Sequence, residues 1–356
     1  MENRQRQLMP SFSRLIGQDK AKNLVGRALS SGSLAHAYLF RGPDGVGKQL
    51  LARSLAAAVN CRQRQGVDTG DHALASPGAN DTGTSLPCGH CPSCRKYSSG
   101  NHPDFLVISP EKGTIKIDRV REMIQALSYP PYESGVRVVL LEDIHTMRSE
   151  AANSLLKTLE EPPANNLLIL TAAASRDILA TISSRCQVIP FFSLGQEETV
   201  EVLLRERPEL EPETARLLAR LSEGSPGQAL LFYRSEMVGL WREVVALVSD
   251  PENDGGRDVG LLLQAAEKMA VLKEDLLPLL GLLRIWLRDL LVAGSLGRDG
   301  QDSAALGEGR RGIGWKQWNS RHLFDKLQAV DRAEQELGRN CNRTLVCEVL
   351  LFQLQQ

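Results

Sequence analysis

Gly42-Pro43-Asp44-Gly45-Val46-Gly47-Lys48 has the residue types and spacing of a phosphate-binding loop. Gly42, Gly45 and Gly47 let backbone N–H groups turn inward around phosphate oxygens, and a helix opening at Lys48 adds the positive potential of its N-terminus. The Lys48 ammonium is the group that would reach the β- and γ-phosphates. A complete loop places Ser or Thr next, whose hydroxyl holds Mg²⁺. Gln49 stands there instead. Its amide oxygen sits differently, and Mg²⁺ demands near-octahedral geometry. Weakened metal binding is therefore expected, while ATP or ADP binding stays open. The bland alternative is a Gly-rich turn between a strand and a helix.

Three further groups carry chemistry. Glu142-Asp143 ends the apolar run Val138–Leu141. The hydrolytic order is Asp for the metal and then Glu for the attacking water, and here it is inverted. Asp143 would fall about a methylene short of the water, and small misplacements are costly in rate. The alternative is an acidic pair that merely ends a strand. Cys88-Gly89-His90-Cys91-Pro92-Ser93-Cys94 gives two overlapping C-x-x-C steps, and Cys61 supplies a fourth thiolate. Four thiolates make a closed, structural Zn²⁺ site, with residues 62–87 looping out at little extra entropic cost. Free thiols or a redox pair are the alternatives. His90 is a poor ligand candidate because it lies between two cysteines, and Cys186, Cys341 and Cys347 are expected to pack. Ser183-Ser184-Arg185-Cys186 precedes an apolar run. Arg185 either reaches across an interface to a γ-phosphate, as arginine fingers do, or is an ordinary solvated or salt-bridged surface residue.

These groups need elements to position them. Short apolar runs at 37–40, 105–108, 136–141, 167–171 and 188–192 alternate with helical patterns such as 48–59. That alternation predicts a parallel sheet covered on both faces. A helix over 150–161 places Ala151, Leu155, Leu156 and Leu159 on one side, and Pro162-Pro163 stop it. Beyond Leu194 only helical patterns remain, over 196–222, 321–337 and a buried final helix at 344–354, with a break at Gly224-Ser225-Pro226-Gly227. Segments 62–87 and 294–314 are expected to be mobile loops. The stretch Leu276–Val292 is interrupted by Pro278, Gly281, Arg284, Arg288 and Asp289, so no transmembrane helix is expected. Seven cysteines behind a polar, basic start point to metal binding in a reducing cytoplasm. A net charge of -1 argues against a chain that binds polyanions as a whole, a zinc-dependent DNA-binding module included.

Several ordered motifs together resemble the bacterial DNA polymerase III clamp-loader subunits. They are Leu15-Ile16-Gly17-Gln18, His36-Ala37-Tyr38-Leu39-Phe40, the phosphate loop, the cysteine cluster, Asn153–Pro163, Ser184-Arg185-Cys186 and Gly224–Gly227. The last third is similar only in its helical character. The resemblance implies an α/β AAA+ (P-loop NTPase-like) domain with a parallel sheet over 1–193, carrying a zinc module at 61–94. A helical lid over 194–235 and an all-α collar for oligomerisation over 236–356 would follow. The implied setting is a cytoplasmic hetero-oligomer with gamma/tau motor and delta subunits that opens a sliding clamp and places it on primed DNA. Gln49, the Glu142-Asp143 order, Ala172-Ala173-Ala174 in place of a polar sensor, and Gln228 in place of a lid arginine all depart from the motor. In these the chain resembles the delta-prime branch, with little or no ATPase activity of its own and Arg185 offered in trans. The alternative is a gamma/tau-like motor.

Overall fold

All five apolar runs form strands of one sheet. The computed structural model describes residues 12–64, 87–111, 113–174, 178–234, 237–249, 259–295, 318–339 and 341–355. Most of the segments 62–87 and 294–314, expected as loops, lies outside these residues. The chain divides into two compact units, Met1–Leu194 and Gly195–Gln356.

The first unit runs α1 (Asp19–Ser30), β1 (Ala37–Arg41), α2 (Lys48–Val59), α3 (Pro92–Ser98), β2 (Phe105–Ile108), α4 (Ile117–Leu127), β3 (Arg137–Leu141), α5 (Ser149–Glu160), β4 (Asn166–Ala172), α6 (Ala180–Ser183) and β5 (Gln187–Pro190). The sheet order is β2-β3-β4-β1-β5, with every pair parallel. Strands β3 and β4 are buried at every residue, as central strands of a covered sheet must be, whereas Gln187 and Val188 of edge strand β5 are exposed. Helices α4 and α5 bury Val120, Met123, Leu127, Ala151, Leu155 and Leu159 in the apolar cluster that includes Val139, Leu141, Leu168 and Leu170. The fifth strand stops at Pro190, short of the expected Phe192. The Phe192 N–H goes instead to Gln18 Oε1 at 3.1 Å, and Gln18 Nε2 returns a bond to Phe192 O at 2.6 Å. Because β1 lies between β4 and β5, the loop after it emerges mid-sheet at the carboxyl edge, where ligands of open α/β sheets bind.

The second unit is helical among its described residues: α7 (Gln196–Glu206), α8 (Pro212–Leu221), α9 (Pro226–Arg234), α10 (Met237–Ser249), α11 (Val259–Val271), α12 (Leu276–Ser295), α13 (Ser320–Gly338) and α14 (Arg343–Gln355). One apolar cluster extends through it from Leu203 to Leu354, with Trp286 fully buried. The break at 224–227 is shorter than expected, because Pro226 opens α9 and its missing N–H costs nothing there. Pro278 likewise sits in the first turn of α12, which then runs unbroken for 20 residues. The final helix is amphipathic rather than buried throughout: Leu345 and Val349 are exposed. No helix among the described residues is long and apolar enough to cross a membrane.

Candidate functional site

The glycine positions of the phosphate loop are enforced by their neighbours. A Cβ on Gly42 would meet Phe191 O at 2.4 Å, and one on Gly47, whose φ is 103°, would meet Leu15 Cδ1 at 2.3 Å. Leu15, from the Leu-Ile-Gly-Gln motif, thus packs directly on the loop. Gly47 caps α2, and Lys48 follows with its side chain only 6% exposed. The Lys48 ammonium donates to Gly42 O at 2.7 Å, to Pro43 O at 2.7 Å and to Asp44 Oδ1 at 3.0 Å. An ammonium has three donors, and the loop uses all of them. Gln49 is exposed on the first turn of α2.

The acidic pair is split. Glu142 is buried and turned toward β2: Ser109 Oγ donates to its Oε2 at 2.6 Å and Arg53 Nη2 lies 3.4 Å from its Oε1. Asp143 adopts a left-handed backbone, φ 51° and ψ 53°, which Asp tolerates better than most residues. Its N–H donates to Thr171 Oγ1 at 3.0 Å. Burial raises the Asp143 carboxyl above the usual range, the negative charge of Asp44 adds to this, and His145 and Lys48 oppose it. Asp143 therefore feels the loop's charges, those of Asp44 and Lys48. Sequence reasoning missed Asp44, Ser109 and Arg53 as partners. The pairing of Ile108 with Leu141 puts Ser109 beside Glu142, and nothing in the sequence announces that register.

Arg185 follows α6. Its Nη2 lies 2.5 Å from Glu160 Oε1, and Nη1 donates to Thr181 O at 2.9 Å and Ser184 Oγ at 3.2 Å. It is salt-bridged and still one-third exposed, with 33% of its side-chain surface open.

The four cysteines converge as expected. The sulfurs of Cys61, Cys88, Cys91 and Cys94 all lie within 4.8 Å of one another, and Cys88 Sγ is 3.9 Å from Cys94 Sγ. Zn–S bonds of about 2.3 Å in a tetrahedron require about 3.8 Å between sulfurs, so the residues fit a metal ion. Three N–H groups already face sulfur, each at 3.4 Å: Cys88 N to Cys61, Cys91 N to Cys88 and Cys94 N to Cys91. Cys61 is held down to about 4 by its hydrogen bond with Cys94. That bond, with burial, pushes Cys94 up, and burial raises Cys88. Bound metal would supply the positive charge that lets all four ionise. His90 is exposed and turned to Cys88 O at 2.8 Å, outside the cluster. Of the remaining cysteines, Cys347 is buried and Cys186 packs on the first unit's core, but Cys341 is exposed, contrary to expectation.

A buried polar network joins this module to the sheet. Tyr97 of α3 stacks on His102 with ring centroids 4.1 Å apart, and Asn60 Nδ2 donates to both Tyr97 Oη and Val136 O at 2.8 Å. Asp104, fully buried, accepts from the backbone N–H groups of Tyr132, Glu133 and Ser134 and lies 3.6 Å from Arg137 Nη2. Burial alone would raise its carboxyl, but these donors and Arg137 hold it below the usual carboxylate range. Asp104→Ala is expected to destabilise the chain by about 3 kcal/mol at neutral pH, since it takes the acceptor from three backbone N–H groups and the carboxylate from buried Arg137, which keeps only the carbonyls of Ala126, Tyr129 and Pro130. This will appear as a lower urea midpoint with an unchanged slope. Because the folded value is depressed, the carboxylate's stabilisation is full above about pH 4 and fades as pH falls through the folded value below it.

With this geometry in hand, known proteins of the same build can be compared. The family model described as "DNA polymerase III, delta subunit" matches residues 17–194, and the chain belongs to this family of clamp-loader subunits. The matched residues are those of the first unit, the α/β domain built on the five-stranded parallel sheet. It is 35% identical over 215 residues to DNA polymerase III subunit delta' of Pseudomonas aeruginosa, covering 57% of this chain and 60% of that one. It is 32% identical over 225 residues to DNA polymerase III subunit tau of Escherichia coli, covering 62% of this chain and 32% of that one. A third relative, subunit delta' of Bacillus subtilis, is 32% identical over 205 residues, covering 58% and 56%. The matched region thus spans less than two-thirds of each relative's length, and delta' and tau match at similar identity.

Proposed function

We propose that the chain is a delta-prime-type clamp-loader subunit that does not turn over ATP itself and supplies Arg185 to the ATP site of a neighbouring subunit. One observation carries this reading: Lys48 and Glu142 are bonded within the chain, and the Mg²⁺-binding hydroxyl is missing. Lys48 is hydrogen-bonded to its own loop and Asp44, Glu142 is bonded to Arg53 and Ser109, and Gln49 replaces the Mg²⁺-binding hydroxyl. The partners are gamma/tau motor subunits and a delta subunit, and the assembled complex places a sliding clamp on primed DNA in the cytoplasm. Residues 194–235 serve as a lid and 236–356 as a collar. Exposed apolar side chains on the helical unit, among them Val271, Leu277, Phe324 and Leu345, favour association there. The ion held by Cys61, Cys88, Cys91 and Cys94 is structural Zn²⁺, since four thiolates leave no open position for chemistry.

Phosphate release from MgATP by the purified chain tests the first part of the proposal. The rate is expected to equal that of the Lys48→Ala variant. A rate well above that variant's would favour the gamma/tau-like motor, for which the retained Lys48 and acidic pair are the supporting features.

A further inference from the structure

We infer that Glu160 is a positioning residue for Arg185, holding the guanidinium so that one edge faces a phosphate group from a neighbouring chain. The inference rests on Arg185 acting as an arginine finger. Glu160 belongs to the Leu-Glu-Glu-Pro-Pro run that ends α5, a motif to which neither the phosphate loop nor the metal cluster assigns any task.

Arginine presents five N–H donors in a planar fork. Nη1 donates to Thr181 O and Ser184 Oγ, and Nη2 forms an ion pair with Glu160 Oε1. Among the described residues no hydrogen bond engages the Nε–H, and Nη2 has only the Glu160 ion pair. Nε and Nη2 share one edge of the plane, and two parallel N–H groups on one edge are what phosphate oxygens accept bidentately. The anchors differ in kind. Thr181 and Ser184 lie on the same short turn as Arg185 and move with it. Glu160 comes from another element, a helix whose opposite face (Ala151, Leu155, Leu159) is buried in the core. Its carboxylate is therefore the contact that fixes the guanidinium relative to the body of the unit. Glu160 is itself 49% exposed, so its replacement removes the anchor without opening the core.

The test is ATP turnover by gamma/tau motor subunits assembled with this chain. Glu160→Ala is expected to lower kcat roughly tenfold while KM stays within about twofold, a loss of orientation rather than of ATP binding. Glu160→Gln keeps an acceptor oxygen and is expected to lose no more than about threefold. In an Arg185→Ala background, Glu160→Ala should cost nothing further, because both changes remove one device. Faster turnover with Glu160→Ala would overturn the inference, since the carboxylate would then restrain the finger. So would an undiminished extra loss in the Arg185→Ala background, or an equal loss with Gln and Ala. If Arg185→Ala alone leaves turnover unchanged, the finger reading fails, and this inference with it. A normal Arg185→Ala defect beside an inert Glu160→Ala overturns the inference alone.

Discussion

Cys91→Ser is expected to abolish stoichiometric zinc and to lower the thermal midpoint of the chain by about 6–12 °C. The metal bond itself is large: structural Zn²⁺ sites bind with on the order of 10 kcal/mol at neutral pH. Little of that reaches the global midpoint, because the cysteine cluster is separate from the apolar cluster around β3 and β4. What couples the two is the Asn60–Tyr97–Val136 bridge and the Tyr97–His102 stack. Losing these links corresponds to about 3 kcal/mol, at about 2–4 °C per kcal/mol for a unit of this size. The loss should therefore be local, with protease cutting near residues 87–100 while the sheet survives. Metal analysis of the wild-type chain should find one zinc, and zinc-free reduced protein with an unchanged midpoint would remove the site. Protonation adds a signature. Cys88 and Cys94 are raised in the metal-free chain, so zinc binding releases protons and its affinity weakens as pH falls.

Much of this arrangement was legible in the sequence because it depends on local spacing. The C-x-x-C steps bring sulfurs together within a few residues, and only Cys61 had to come from afar. The strand–loop–helix around Gly42–Lys48 was readable for the same reason, with α2 found at Lys48–Val59 as expected. The strands were visible as apolar runs because a parallel sheet buries both faces. Contacts set by sheet order were not legible. Ser109 meets Glu142 only through the β2–β3 register, and Gln18 clasps Phe192 across 174 residues of sequence. The splitting of Glu142 from Asp143 depends on a left-handed turn at Asp143 that no pattern signals. The bond of Asp44 to Lys48 shows only in the folded loop. The pairing of Arg185 with Glu160 joins a helix end to a turn across strand β4, a contact that neither motif predicts alone.

The largest functional effect is expected at Arg185. A guanidinium delivered to developing phosphate charge is worth about 10³–10⁵ in rate to the site it serves, and Lys cannot replace its fork. Arg185→Ala should leave the folded chain and its assembly intact, since the side chain is a third exposed and its ion pair with Glu160 lies at the surface. The most direct measurement is single-turnover phosphate release by gamma/tau motor subunits assembled in turn with wild-type chain and with Arg185→Ala chain at equal occupancy. The account predicts that release from the site facing this chain slows by about 10³ with Arg185→Ala. Equal release rates with the two chains would contradict it.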